Sequence, residues 1–147
     1  MEKCNRTRAI KWFYWRNKKL IEKGFQIIIV ANQYVIADGI ISINEYYSFT
    51  GKLLTILQNN GINVLNIYYY PHNDLDHCCY KKPKPGMIEN ALKEYDIDMQ
   101  SSMYWGDSQA DYLLAKHFGL AFEISGKLMR IIALAVSYKY QKNIMCL

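Results

Sequence analysis

The sequence has no apolar run approaching the roughly 18 residues that cross a bilayer, no apolar signal segment, no internal repeat and no low-complexity linker. These absences speak against a helical membrane protein, a repeat array and a string of modules. Cysteine is also sparse: four residues without an apolar leader argue against a disulfide framework and for a reducing cytoplasm. The net charge of +5 is modest, and acidic and basic residues are interspersed except near the start. What the chain does have is 147 residues with 51% hydrophobic content, enough for one sizeable core and too little for two ordinary domains. A single domain over residues 1–147 is expected.

The basic exception is "KCNRTRAIKWFYWRNKK", which mixes cations and aromatics. Such a surface suits an anionic partner, nucleic acid or an acidic membrane face. Equally, at helical spacing Phe13, Leu20 and Ile21 would turn towards a core. The second reading is preferred, so neither a nucleic-acid nor a membrane partner is expected.

Further along, helix and strand signals alternate. Residues 7 to 22 read as a helix that stops at Gly24. "FQIIIVAN" is a β-branched run of the kind found in strands buried on both faces. Residues 44 to 59 read as a helix, "NVLNIYYY" as a strand, "GMIENALKEY" as a helix, "SMYW" as a strand, "SQADYLLAKHF" as a helix and "LAFEIS" as a strand. This order implies an α/β fold of three layers, a Rossmann-like parallel sheet with helices on both sides. Ligands in such folds sit beyond the carboxyl ends of the strands. That places attention on Ala31, Asn32 and Gln33, the loop after Tyr70, Gly106 to Asp111, and Ser125 to Lys127.

Two of these loops carry chemistry. In "WGDSQAD", Asp107 follows a strand and offers a hard oxygen ligand suited to Mg²⁺. The alternative is structural: Ser108 and Asp111 have the spacing of a helix N-cap with an acidic residue three positions on. In "YYYPHNDLDHCCYKKPKPGM", Pro83, Pro85 and Gly86 make a stiff turn that would hold Lys82 and Lys84 at the edge of the crevice, where an ammonium suits phosphate. Read alone, that loop is a solvated basic segment.

Together, "IIIVANQYVIADG", the loop through "KKPKPGM" and "MYWGDSQADYLLAKHFGL" resemble the heptose bisphosphate and histidinol-phosphate phosphatases of the haloacid dehalogenase superfamily. The resemblance implies phosphate monoester hydrolysis through an aspartyl-phosphate, with Mg²⁺ bridging carboxylates and phosphate. It gives Lys82 the role of stabilising the phosphoryl group, and Lys81, Asn32, Gln33 and Ser108 those of substrate contacts. Asp107 takes the metal.

Three departures qualify this. No Asp-x-Asp-Gly-Thr follows an early strand, so the nucleophile and its neighbouring acid are missing from the sequence. Ala31 replaces a hydroxyl residue that would donate to phosphate. The loop that binds zinc in many relatives reads Tyr70, His72, Cys78 and Tyr80, two of four ligands, and the adjacent Cys78 and Cys79 point to opposite sides of an extended chain. Zinc is therefore not expected, although His77 and Cys79 are conceivable substitutes. The resemblance also places the absent strand mid-sheet, between residues 25 to 31 and the strand ending at Trp105. Its loss would leave two apolar strand edges and a slot unless the neighbours close up. The expectation is an N-terminally truncated, monomeric, cytoplasmic phosphatase domain without turnover, with a non-catalytic sugar-phosphate-binding remnant or a histidinol-phosphate phosphatase-like fragment as alternatives.

Overall fold

The computed structural model describes residues 2–71, 79–124 and 133–138, with the side chains of 2–10, 12, 34 and 133–138 excepted. Its elements run α1 (Glu2–Glu22), β1 (Gln26–Asn32), α2 (Tyr34–Ala37), α3 (Ile43–Asn59), β2 (Val64–Tyr70), α4 (Gly86–Glu94), β3 (Ile97–Gly106), α5 (Gln109–His117), β4 (Ala121–Ile124) and β5 (Ala133–Tyr138). Each strand and helix expected from the sequence is present. The short α2 and the fifth strand are additions.

Local signals explain where elements stop. Gly24 adopts φ 83°, and the amides of Gly24 and Phe25 donate back to the carbonyls of Ile21 and Leu20. These bonds satisfy the carbonyls that the last turn of a helix leaves open, and only glycine takes this left-handed position without strain. Gly119 ends α5 in the same way, its φ 67° turning the chain into β4. At the start of α3, the Ser42 amide donates to the Glu45 carboxylate at 2.8 Å and the Glu45 amide to the Ser42 hydroxyl at 3.2 Å. This reciprocal capping box satisfies two otherwise orphaned donors.

The sheet has the order β2-β1-β5-β3-β4. β1 and β2 are parallel, as are β3 and β4, whereas β5 lies between the two pairs and runs antiparallel to both neighbours. The expectation of a wholly parallel sheet with an empty or collapsed slot is thus corrected. The slot exists and the segment 133–138 fills it, because β1 and β3 each present a row of backbone donors and acceptors that must be paired once buried. Ile27, Ile28 and Ile29 pair with Ala135, Leu134 and Ala133, which pair in turn with Met103, Tyr104 and Trp105.

Alternate residues of β1 feed two cores. Ile28 and Val30 join Tyr70, Tyr104, Met87, Ile88, Leu114 and Ala115 on the α4/α5 side. Ile27 and Ile29 join Phe13, Leu57, Ile62 and Trp105 on the α1/α3 side. The three layers follow from this period of two. α1 is fixed by its aromatic and basic residues together. Phe13 is buried, and the Arg16 guanidinium lies 4.5 Å from the centre of the Trp105 ring. The Trp105 indole N–H donates to Glu123 Oε2 at 2.6 Å. Burial pulls the Arg16 guanidinium down to about 10, against the opposing pull of Glu123.

The stretch that could have suited an anionic partner therefore spends Phe13 and Arg16 on packing, while Trp15 stays 60% exposed. Phe13→Ala should lower unfolding free energy by about 3–5 kcal/mol through a core cavity. Trp15→Ala should stay within about 0.5 kcal/mol. Urea denaturation of both variants checks the contrast; equal losses would show that α1 does not dock as described.

Candidate functional site

At the carboxyl ends of β1 and β3, the chain builds a buried polar centre on Asp111. The Ser108 hydroxyl caps α5 by accepting the Asp111 amide at 3.2 Å, while Asp111 Oδ2 accepts the Ser108 amide at 3.1 Å and its hydroxyl at 2.6 Å. Asp111 Oδ1 accepts from Lys82 Nζ at 2.8 Å and from the Tyr104 hydroxyl at 3.2 Å. Four donors thus converge on one carboxylate, which is the way a buried charge is tolerated.

Lys82 arrives from the turn between β2 and α4. That turn closes tightly: the Gly86 amide donates to the Cys79 carbonyl, and a Cβ at Gly86 would meet that oxygen at 2.8 Å. The Lys82 amide donates to Asn32 Oδ1 at 3.0 Å, tying the turn to the end of β1, and its ammonium donates to the Val30 carbonyl at 3.2 Å. Side-chain exposure is 2% for Lys82 and 0% for Asp111. Lys82 is therefore interior, not at the crevice edge, while Lys84 is exposed. Burial lowers the Lys82 ammonium below its usual value despite the Asp111 and Asp107 carboxylates. Among the described residues its ammonium donates to Val30 and Asp111, and at 2% exposure the side chain is almost closed off from solvent.

Asn32 and Ser108 bond to this pair directly, and the Asp107 carboxylate acts on the Lys82 ammonium. Asp107 is exposed between Gly106 and the cap. Gly106 has to be glycine, since a Cβ there would lie 2.2 Å from that of Asp111. Gln33 is half-buried, and its amide donates to the Tyr70 carbonyl. Beside Ala31, whose register partner is Tyr69, the hydroxyls of Tyr69 and Tyr47 meet at 2.9 Å. That bond, with burial, pushes Tyr69 up to about 12. A groove of about 440 Å³ between Ile21, Phe25, Val64 and Leu65 lies at the other end of the sheet and has no ionisable side chain among its lining residues.

The metal expectations fare differently. His72, Cys78 and His77 lie outside the described residues. Tyr70 is packed into the core, Tyr80 is packed against it, and Cys79 is exposed. Among the described residues no group of three or more His, Cys, Asp and Glu could hold a metal ion. For Mg²⁺, Asp111 is engaged with its four donors, so among the described residues around Lys82 the exposed carboxylate is Asp107; Mg²⁺ bound through one carboxylate keeps most of its water or takes substrate phosphate oxygens. In the sequence the loop motif points to Lys82 and the capping spacing to Asp111, but nothing signals that the two pair or that Tyr104 joins them.

The family model described as polynucleotide kinase 3 phosphatase matches residues 4–127. The chain is 37% identical over 110 residues to D-glycero-alpha-D-manno-heptose-1,7-bisphosphate 7-phosphatase of Photorhabdus laumondii, a match covering 70% of this chain and 60% of that protein. It is 35% identical over 104 residues to the "Probable D-glycero-D-manno-heptose-1,7-bisphosphate 7-phosphatase" of Thermoplasma volcanium, covering 70% and 71% respectively. The crystal structure of D,D-heptose 1.7-bisphosphate phosphatase from B. bronchiseptica, complexed with magnesium and phosphate, superposes with a TM-score of 0.66. Identity there is 26%, covering 74% of this chain and 61% of the other.

The two aspartates should separate on substitution. Asp111→Ala strands the Lys82 ammonium in the interior and should cost about 3–5 kcal/mol. Asp107→Ala, at an exposed position, should stay within about 0.5 kcal/mol. Adding Lys82→Met to Asp111→Ala should recover much of the loss by removing the stranded charge. Urea titrations of the three variants check this; an unchanged midpoint for Asp111→Ala would dismiss the buried pair.

Proposed function

The chain belongs to the polynucleotide kinase 3 phosphatase family of the haloacid dehalogenase superfamily, and from that premise we propose that its crevice is built for a sugar phosphate of the D-glycero-D-manno-heptose 1,7-bisphosphate type. Support comes above all from Lys82, an ammonium anchored by Asp111 and Val30, tied through its amide to Asn32 and under the field of Asp107. In this reading residues 1–147 act as one haloacid dehalogenase-like unit and as a monomer. Lys82 opposes the charge of the phosphoryl group. Lys81, Asn32, Gln33 and Ser108 contact the substrate, and Asp107 faces any cation that accompanies it.

The chain binds without turning over. Phosphoryl transfer in this superfamily needs a carboxylate to receive the group and an acid two residues on. Of the Asp-x-Asp spacings in the sequence, Asp74 and Asp76 lie outside the described residues. Asp96 and Asp98 flank the start of β3, at the far end of the strand from Lys82. Asp98 also accepts from the Gln100 and Ser101 amides and from the Ser101 hydroxyl at 2.8 Å. A positioned lysine cannot replace a nucleophile.

Heptose 1,7-bisphosphate incubated with the chain and Mg²⁺ should release no phosphate above buffer. Calorimetry should register binding of the bisphosphate that weakens about tenfold with Lys81→Ala, a loss of about 1.4 kcal/mol. Turnover that disappears with Asp107→Asn would overturn the claim of binding alone. Absence of any binding would overturn the sugar-phosphate reading. Elemental analysis should find less than one zinc per chain, since tyrosines stand at two ligand positions.

A further inference from the structure

Three tyrosines cluster where the carboxyl end of β2 meets the amino-terminal end of α3. Tyr69 is the register partner of Ala31, and the next pair is Tyr70 with Asn32, so the cluster stands one strand outward, roughly 4.8 Å, from the β1 end of the crevice. α3 brings Tyr46 and Tyr47 there, just behind the capping box of Ser42 and Glu45. Tyr46 is buried, and its ring centre lies 4.6 Å from that of Tyr69. Tyr47 is 55% exposed. Its orientation is nevertheless fixed: its hydroxyl meets that of Tyr69 at 2.9 Å, and the two rings stand at 89° with centres 6.4 Å apart. Core packing does not call for this third ring, because Tyr46 already fills the space between α3 and Tyr69. A ring held in place while it stays in water presents a surface.

We propose that Tyr47 is a specificity-determining residue of the crevice, a platform on which the C–H face of a sugar ring rests while its phosphate lies on the Lys81 and Lys82 side. This rests on the sugar-phosphate reading and goes beyond it by naming what recognises the sugar. An aromatic face carries the negative part of the ring quadrupole and attracts polarised C–H bonds. A pyranose offers an apolar C–H patch on one face and hydroxyls around its rim, and Asn32 and the half-buried Gln33 stand on the β1 side to meet those hydroxyls. Ile43, one turn before Tyr47 on α3 and partly exposed, widens the apolar surface. Because Tyr69 already holds the ring, binding costs it little rotamer freedom. Inorganic phosphate gains nothing from such a platform, so Tyr47 separates a sugar phosphate from the bare anion.

The test titrates the full chain by calorimetry with heptose 1,7-bisphosphate and, separately, with inorganic phosphate. Tyr47→Ala should weaken the bisphosphate about tenfold and inorganic phosphate by less than about twofold, with no change in the urea midpoint. Tyr47→Phe and Tyr69→Phe each remove one hydroxyl of the tie and leave both rings. Each should weaken the bisphosphate about threefold, and the double variant no further, since both changes break the same bond. With fluorotyrosine incorporated, the Tyr47 signal, identified by its loss in Tyr47→Ala, should shift on adding the bisphosphate and stay in place with inorganic phosphate. Bisphosphate binding that Tyr47→Ala leaves unaltered would overturn the platform while the sugar-phosphate reading stands. Equal weakening of both ligands would also overturn it, marking a general loss of the crevice. If the unmodified chain does not bind the bisphosphate at all, the sugar-phosphate reading fails and the platform falls with it.

Discussion

The ion pair between Lys82 and Asp111 ties together elements far apart in sequence. Through it the β2–α4 turn, the end of β1, the first turn of α5 and Tyr104 on β3 are connected by directional bonds. Coulomb attraction across 2.8 Å in a dry interior is strong, yet desolvating both ions offsets most of it. The pair therefore contributes geometry more than stability. It fixes where an ammonium stands relative to the ends of two strands that have no direct contact in the ladder.

That arrangement has a chemical corollary for the crevice. Asp111 neutralises Lys82, so the field at the mouth is set largely by the exposed Asp107 and Lys84 and the half-buried Lys81. The superfamily's chemistry requires an acceptor carboxylate opposite the lysine. Here the described part of the strand between β1 and β3 begins at Ala133, in register with Ile29 and Trp105.

Much of the architecture was readable from sequence because it rests on local physics. β-branched runs, capping spacings and Gly24 marked most elements within a residue or two, although α1 and β3 each begin five residues earlier than read, and the β-branched run of β1 implied cores on both faces. β5 was not readable. "ALAVSY" is a short apolar run with no flanking turn signal, and its place in the sheet depends on the unmet hydrogen bonds of β1 and β3, which are properties of other segments. The site was half readable. Motif spacing selected Lys82 and Asp107, but a lysine between prolines and near other lysines reads as solvated, and only the tertiary approach of α5 explains its burial. Asp111 looked like a cap and is one; that it also anchors Lys82 follows from Gly106, whose missing side chain lets the carboxylate come against β3.

The position of β5 has a consequence for the order in which the fold is assembled. β1 with β2, and β3 with β4, are each complete as pairs before residues 133–138 have been translated, and helices can already pack against both. The seam joining the halves is the one piece that a ribosome delivers after all its neighbours. The two half-sheets can be joined only once the segment that lies carboxyl-terminal to all four of their strands has been made.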